Sequence, residues 1–131
     1  MKYLAVATLT NMLSRIPTPM LATLNQFDFH HTLEERRGLS IVFFSSTSCA
    51  SCSFWKQLLG KYKQRHPEIE VYEVDAKQDQ ALAEEFNLFH LPALFLYADG
   101  AFHAELQCEA NFEKLDASIN AALRNPAQEA P

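Results

Sequence analysis

The chain has 131 residues, a formal net charge of −5 and 48% hydrophobic residues, with ten Phe among them. That is enough apolar material for one domain with a real core and too much for a disordered chain, while an acidic balance without any basic cluster argues against a nucleic-acid partner. Three cysteines are too few for a disulfide-stapled scaffold.

Met1 and Lys2 followed by an apolar stretch over 3–9 give a faint likeness to a secretory leader. A single Lys, a short apolar core, the interruption at Asn11 and the lack of a small-residue cleavage site all weaken that reading. The spacing of Val6, Leu9, Leu13 and Ile16 favours an amphipathic helix that stops before Pro17. Residues 1–18 are therefore expected to form a helical extension docked on the domain or on a partner. The segment is too short to cross a membrane, membrane association is not expected, and the expected location is cytoplasmic. A periplasmic or secreted location is the alternative, and would require the leader likeness to be real.

Thr18 and Pro19 mark a joint. Beyond it, 21–24 reads as a short strand, and Asp28 as the cap of a helix running through His31, Leu33 and Arg36 to Gly38. Residues 41–44 are a continuous apolar run, the mark of a strand covered on both faces. After a short polar turn, Cys49 and Cys52 open a helix in which Trp55, Leu58, Leu59 and Tyr62 recur at helical spacing. Lys56, Lys61, Lys63 and Arg65 mark its wetter side, and it is expected to end near His66 and Pro67. The alternation over 69–74 predicts a strand, and 79–86 a helix anchored by Leu82 and Phe86. Leu91 and Pro92 break the chain before an apolar strand over 93–97, and Asp99 with Gly100 signals a hairpin into 102–106. Asn111 is a plausible cap for a last helix with Phe112, Leu115, Ile119 and Leu123 on one face, and 125–131 reads as a flexible, frayed tail.

The predicted order is β-α-β-α-β-α-β-β-α: an α/β domain with a central mixed sheet flanked by helices on both faces. Strand–helix–strand crossovers imply parallel pairing, and the hairpin adds an antiparallel edge. Cys49 then emerges beyond the carboxyl end of a central strand, where open α/β sheets carry their chemistry. At a helix start the free N–H groups and the positive dipole end favour a thiolate, so Cys49 is the expected nucleophile. Cys52, turned toward the core, is placed to resolve a mixed disulfide. The competing reading is a structural or metal-binding pair. Structural zinc usually takes four protein ligands, and only Cys108 and scattered histidines remain, so no metal is expected. His30 and His31 read as a solvated face, and His90 as a loop histidine or a group near the cysteines.

From residue 20 to residue 124 the chain resembles the thioredoxin family. The likeness rests on the Phe-ended apolar strand, the C-x-x-C that opens a helix, the Val71-Tyr72-Glu73-Val74-Asp75 strand, and the run Leu91-Pro92-Ala93-Leu94-Phe95-Leu96-Tyr97-Ala98-Asp99-Gly100. The resemblance implies a thioredoxin-like fold in which Pro92 is cis and faces the cysteine pair, with the backbone beside Leu91 and Pro92 binding extended substrate. There are departures. The residues around the cysteines are Ser48-Cys49-Ala50-Ser51-Cys52, without the family's Trp, Gly or Pro. The family's buried acid falls on Phe43 and its partner lysine on Val71, so the resemblance implies that this buried ion pair is missing. Replacing a buried pair by apolar residues is compatible with folding, so the loss bears on chemistry. The glycine lining the substrate groove falls on Cys108, which places a third thiol at the rim as an accessory group or as a space-filling cysteine.

The expected organisation is an extension over 1–18, a thioredoxin-like domain over 19–124 and a tail over 125–131. The expected function is thiol–disulfide exchange on protein disulfides. In it Cys49 attacks, Cys52 resolves, Leu91 and Pro92 hold the substrate chain, no dissociable cofactor takes part, and a reductase or redox partner supplies electrons. The alternative is a non-catalytic binding module of the same fold, with a vestigial or regulatory dithiol.

Overall fold

The computed structural model describes residues 21–131, and the expected helix over 1–18 lies outside them. Five strands and four helices alternate as the sequence pattern requires. They are β1 (Ala22–Thr23), α1 (Phe29–Glu35), β2 (Leu39–Ser45), α2 (Ala50–Arg65), β3 (Glu70–Asp75), α3 (Gln80–Glu85), β4 (Ala93–Ala98), β5 (Ala101–Leu106) and α4 (Phe112–Arg124). The strands form one sheet in the order β1-β3-β2-β4-β5.

β2 is the central strand, and its residues from Ser40 to Ser45 are all buried because both faces are covered. On one face Ile41 and Phe43 pack with Cys52, Trp55, Leu59 and Tyr62 of α2 and Leu115 and Ile119 of α4. On the other, Val42 and Phe44 pack with Phe29 and Leu33 of α1 and Leu82 and Phe86 of α3. Two neighbouring β2 residues thus serve two different cores, as strand alternation demands. Tyr72 in β3 is buried on the second face as well, so this strand is covered on both sides and departs from a simple apolar/polar alternation.

Helix boundaries follow local chemistry. Asn111 caps α4 by accepting the Lys114 amide at 3.1 Å. Asp28 stands at the start of α1 without capping it, and its carboxylate accepts the Asn25 amide instead. The Asp99–Gly100 turn has positive φ at both residues (49° and 85°), the primed geometry that matches strand twist. A Cβ at Gly100 would also lie 2.5 Å from the Glu34 carbonyl oxygen, so the position is closed to other residues on two counts.

Two expectations need correction. β4 runs antiparallel to β2, with Phe44 opposite Ala93, so the antiparallel part of the sheet begins one strand earlier than the hairpin. The connection over 76–92, with its six-residue α3, makes no crossover, and the chain enters β4 at the end of the sheet where β3 left. Leu123 is 40% exposed and lies off the core face, while Ala122 packs in its place. Residues of the 125–131 segment also meet β5: the Gln128 amide donates to the His103 carbonyl at 2.7 Å, and its side-chain oxygen accepts the Glu105 amide at 3.0 Å. These bonds satisfy backbone groups of β5, which among the described residues is the edge strand beside β4.

Candidate functional site

The parallel β2–β3 pair runs its carboxyl ends to one edge of the sheet, and the chain leaves β2 there through a polar turn into Cys49. Cys49 is the N-cap of α2. Its sulfur accepts the backbone N–H of Cys52 at 3.2 Å and lies 3.4 Å from the Ser51 hydroxyl. Cys49 is half-buried, Cys52 is buried against the α2-side core, and the two form a disulfide. The turn is braced from β3's far end, where the Lys77 ammonium donates to the Ser48 hydroxyl at 2.9 Å.

Pro92 follows a cis peptide bond from Leu91. The Phe44–Ala93 register sets Pro92 at the end of β2 from which the chain turns to Cys49, so two segments distant in sequence meet at one sheet edge. Leu91 is half-buried and packs against both cores. Cys108, in the loop between β5 and α4, is half-buried against the α2-side core and is a free thiol. Burial pushes its pKa up, a hydrogen bond with Ser118 opposes that rise, and the charge of Glu109 adds to it.

Behind the dithiol the structure holds an ion pair. Glu73 carries its carboxylate on the α2 face of the sheet, beside Phe43 in register. Its Oε1 lies 3.0 Å from Nζ of Lys56, and its Oε2 accepts the Ser45 hydroxyl at 2.7 Å. The Glu73 side chain is only 16% exposed. Phe43 and Val71 are buried apolar residues, so the pair implied to be missing from those positions is missing there. A different pair, Lys56 with Glu73, stands behind the cysteine helix in its stead. A cavity of about 660 Å³ is lined by Ser45, Cys52, Lys56 and Glu73, together with Asp75 and Asp79.

No histidine lines this cavity. His30 pairs at the surface with Glu85 at 2.9 Å, and His90 is exposed in the loop before Leu91. Among the described residues no three His, Cys, Asp or Glu side chains gather as metal ligands would, and no helix is long and apolar enough to cross a membrane. Glu73 and Ser45 were not singled out by the sequence reading, and Lys56 was read as part of a solvated face. The strand parity of Val71 and Glu73 was the signal that could have found the carboxylate.

A family model described as Thioredoxin matches residues 20–121. No curated protein matches the chain in sequence. Among solved structures, thioredoxin f2 of Chlamydomonas reinhardtii is similar at TM-score 0.70 and 24% identity, covering 82% of this chain and 99% of that one. Mitochondrial thioredoxin 3 of Saccharomyces cerevisiae, in its oxidized form, is similar at TM-score 0.67 and 22% identity, covering 77% and 94%. The thioredoxin of Trypanosoma brucei brucei is similar at TM-score 0.68 and 15% identity, covering 85% and 97%.

Proposed function

The chain belongs to the thioredoxin family, and from that premise we propose that it is a thiol–disulfide oxidoreductase that acts on protein disulfides. The observation that carries this reading is the placement of Cys49 as the cap of α2, its sulfur on the Cys52 amide and joined to the Cys52 sulfur. A sulfur so held is stabilised as a thiolate by the N–H dipole and the helix end.

The exchange runs in two steps. The Cys49 thiolate attacks one sulfur of a substrate disulfide, forming a mixed disulfide and releasing the first substrate thiolate. Cys52 then attacks the Cys49 sulfur, the intramolecular disulfide forms, and the second substrate thiolate leaves; two electrons have passed from the dithiol to the substrate. A dithiol donor, a reductase or another redox partner, returns the pair to its reduced form, and a reducing compartment such as the cytoplasm suits that direction. Leu91 and Pro92 are the proposed substrate-holding residues because the Phe44–Ala93 register brings them to the sheet edge from which the chain turns to Cys49. For Cys108 two roles stand, accessory thiol and space-filling cysteine, and the second is the one carried forward. Residues 1–18 are carried as an extension of the domain.

The test is turnover of a protein disulfide with a thiol reductant as electron source. The expected result is catalysis in the parent and none in Cys49→Ser; no catalysis in the parent, or catalysis that survives the substitution, overturns the reading. A second reading, a binding module, is favoured by two exposed aromatics, Phe89 (96% exposed) in the loop before Leu91 and Phe54 (60%) on the cysteine helix. Single apolar residues at a surface are ordinary, so this reading stands second. Partner capture that persists in Cys49→Ser, without turnover in the parent, would raise it to first.

A further inference from the structure

The cavity beside α2 brings the resolving thiol, a cation and a carboxylate to one space. Cys52 and Lys56 lie one turn apart on α2, and Glu73 faces them from β3. Both carboxylate oxygens of Glu73 are engaged, one by Lys56 and one by Ser45, yet each keeps acceptor capacity for another proton-bearing group. The other acids lining the cavity, Asp28, Asp75 and Asp79, each accept backbone amides: Asp28 that of Asn25 and Asp75 those of Lys77 and Gln78 within their own loops, and Asp79 that of Gln26 from the segment between β1 and α1. Phe43 adjoins Glu73 from β2 and brings no charge, and β1 contributes the uncharged Thr23 opposite Glu73. Glu73 is thus the one lining acid that an ion pair ties to the cysteine helix.

We propose that Glu73 accepts the proton of Cys52 across this cavity during the resolving step, with Lys56 holding its carboxylate in place. The proposal rests on thiol–disulfide exchange by the Cys49–Cys52 pair. In the mixed disulfide Cys52 is a thiol. It must lose its proton as its sulfur bonds to that of Cys49 and the Cys49–substrate S–S bond breaks, with the electron pair leaving on the substrate sulfur. The proton moves to the Glu73 carboxylate, through water that a polar-lined space of about 660 Å³ can hold. It then passes to the departing thiolate or to solvent. No group beyond the dithiol and the substrate disulfide is oxidised or reduced.

The experiment follows resolution of a mixed disulfide between Cys49 and the chromophoric thiol thionitrobenzoate, in a Cys108→Ala background, by stopped-flow absorbance from pH 5 to pH 10. In the parent the rate of release should vary little across that range. In Glu73→Gln, which keeps an acceptor for Ser45, release should be at least tenfold slower at pH 6 and should climb with pH, the gap closing as Cys52 ionises unaided; a positioned base is commonly worth about 10²–10⁴-fold. Lys56→Met should slow release at pH 6 by a smaller factor, because the carboxylate stays but loses the ammonium that holds it at 3.0 Å. A merely structural role for Glu73 would lower the rate by the same factor at every pH. That result, or superimposable profiles in parent and Glu73→Gln, overturns the proposal and leaves exchange standing. The converse, a Glu73-dependent profile in a protein that turns over no protein disulfide, keeps the relay and sinks the substrate reading.

Discussion

Phe43 and Glu73 are register partners across β2 and β3, so a phenyl ring and a carboxylate share one face of the sheet beneath α2. The phenyl is fully buried in the core, while the carboxylate stands at the rim of that core, held by Lys56 and Ser45. Of these two strands, β3 is the one that brings a carboxylate beneath α2.

Restoring a carboxylate on β2 should fail. Phe43→Asp removes a buried ring, itself worth about 3–5 kcal/mol, and places a second acid next to Glu73 without a cation of its own. The expected loss is more than about 3 kcal/mol at neutral pH, measured as a fall in the guanidinium midpoint. Retention of the parent midpoint would show that this face of β2 tolerates charge.

Cys49 should be the more acidic of the pair. The Cys52 amide already points at its sulfur at 3.2 Å, and the Ser51 hydroxyl is near enough to donate to a thiolate. In the reduced protein, thiolate absorbance should report a first titration below the usual cysteine value of about 8.5. Iodoacetamide should label Cys49 ahead of Cys52, which mass spectrometry of peptides would show. Ser51→Ala should raise that first titration modestly, since one donor is lost.

Cys108 should be the silent thiol at neutral pH. Its burial disfavours the thiolate, so it should alkylate last, and its rate should climb steeply only on the alkaline side. Cys108→Ala is expected to leave protein-disulfide turnover within about twofold of the parent, given the small contribution of an un-ionised cysteine to exchange. A larger loss of turnover would assign it the accessory role.

Alkali should unfold the protein through its tyrosines. Burial raises the pKa of Tyr62 far above its ordinary value, and the hydrogen bond its hydroxyl donates to Asp116 at 2.9 Å adds to the rise. Burial raises Tyr97 in the same way, with the charge of Glu85 adding to it. The folded state keeps phenolic protons that the unfolded chain gives up above about pH 10, so the unfolded state binds fewer protons there and stability falls as pH rises. Urea midpoints should be flat to about pH 9.5 and then decline. Tyr62→Phe should cost about 1 kcal/mol at pH 7 and make the alkaline decline shallower.

Much of the fold was legible because local rules and tertiary demands agree. Ile41 to Phe44 is apolar without a break, and the structure covers both faces of β2. Asp99 and Gly100 are the residues that a turn with positive φ selects. Cys49 at the helix start and Cys52 on its core face could be placed from helix geometry alone. Other features could not be read so. Leu123 fits the helical stripe of α4 as well as Ala122 does, and only the angle at which α4 meets the sheet decides between them. Gln128 lies in a segment of loop composition, and its bonds to His103 and Glu105 depend on where the edge of β5 runs.

The sequence by itself determined the order of elements, the C-x-x-C at a helix start and the family likeness, because each is written in spacings of a few residues. The tertiary structure alone decided which strand faces which. The antiparallel pairing of β4 with β2 brings Leu91 and Pro92 to the end of β2 where Cys49 emerges. The parallel register of β2 with β3 sets Glu73 beside Phe43, and the packing of α2 lays Lys56 over it. A carboxylate's partners lie across the chain rather than along it, so the charge behind the dithiol had to be found in three dimensions.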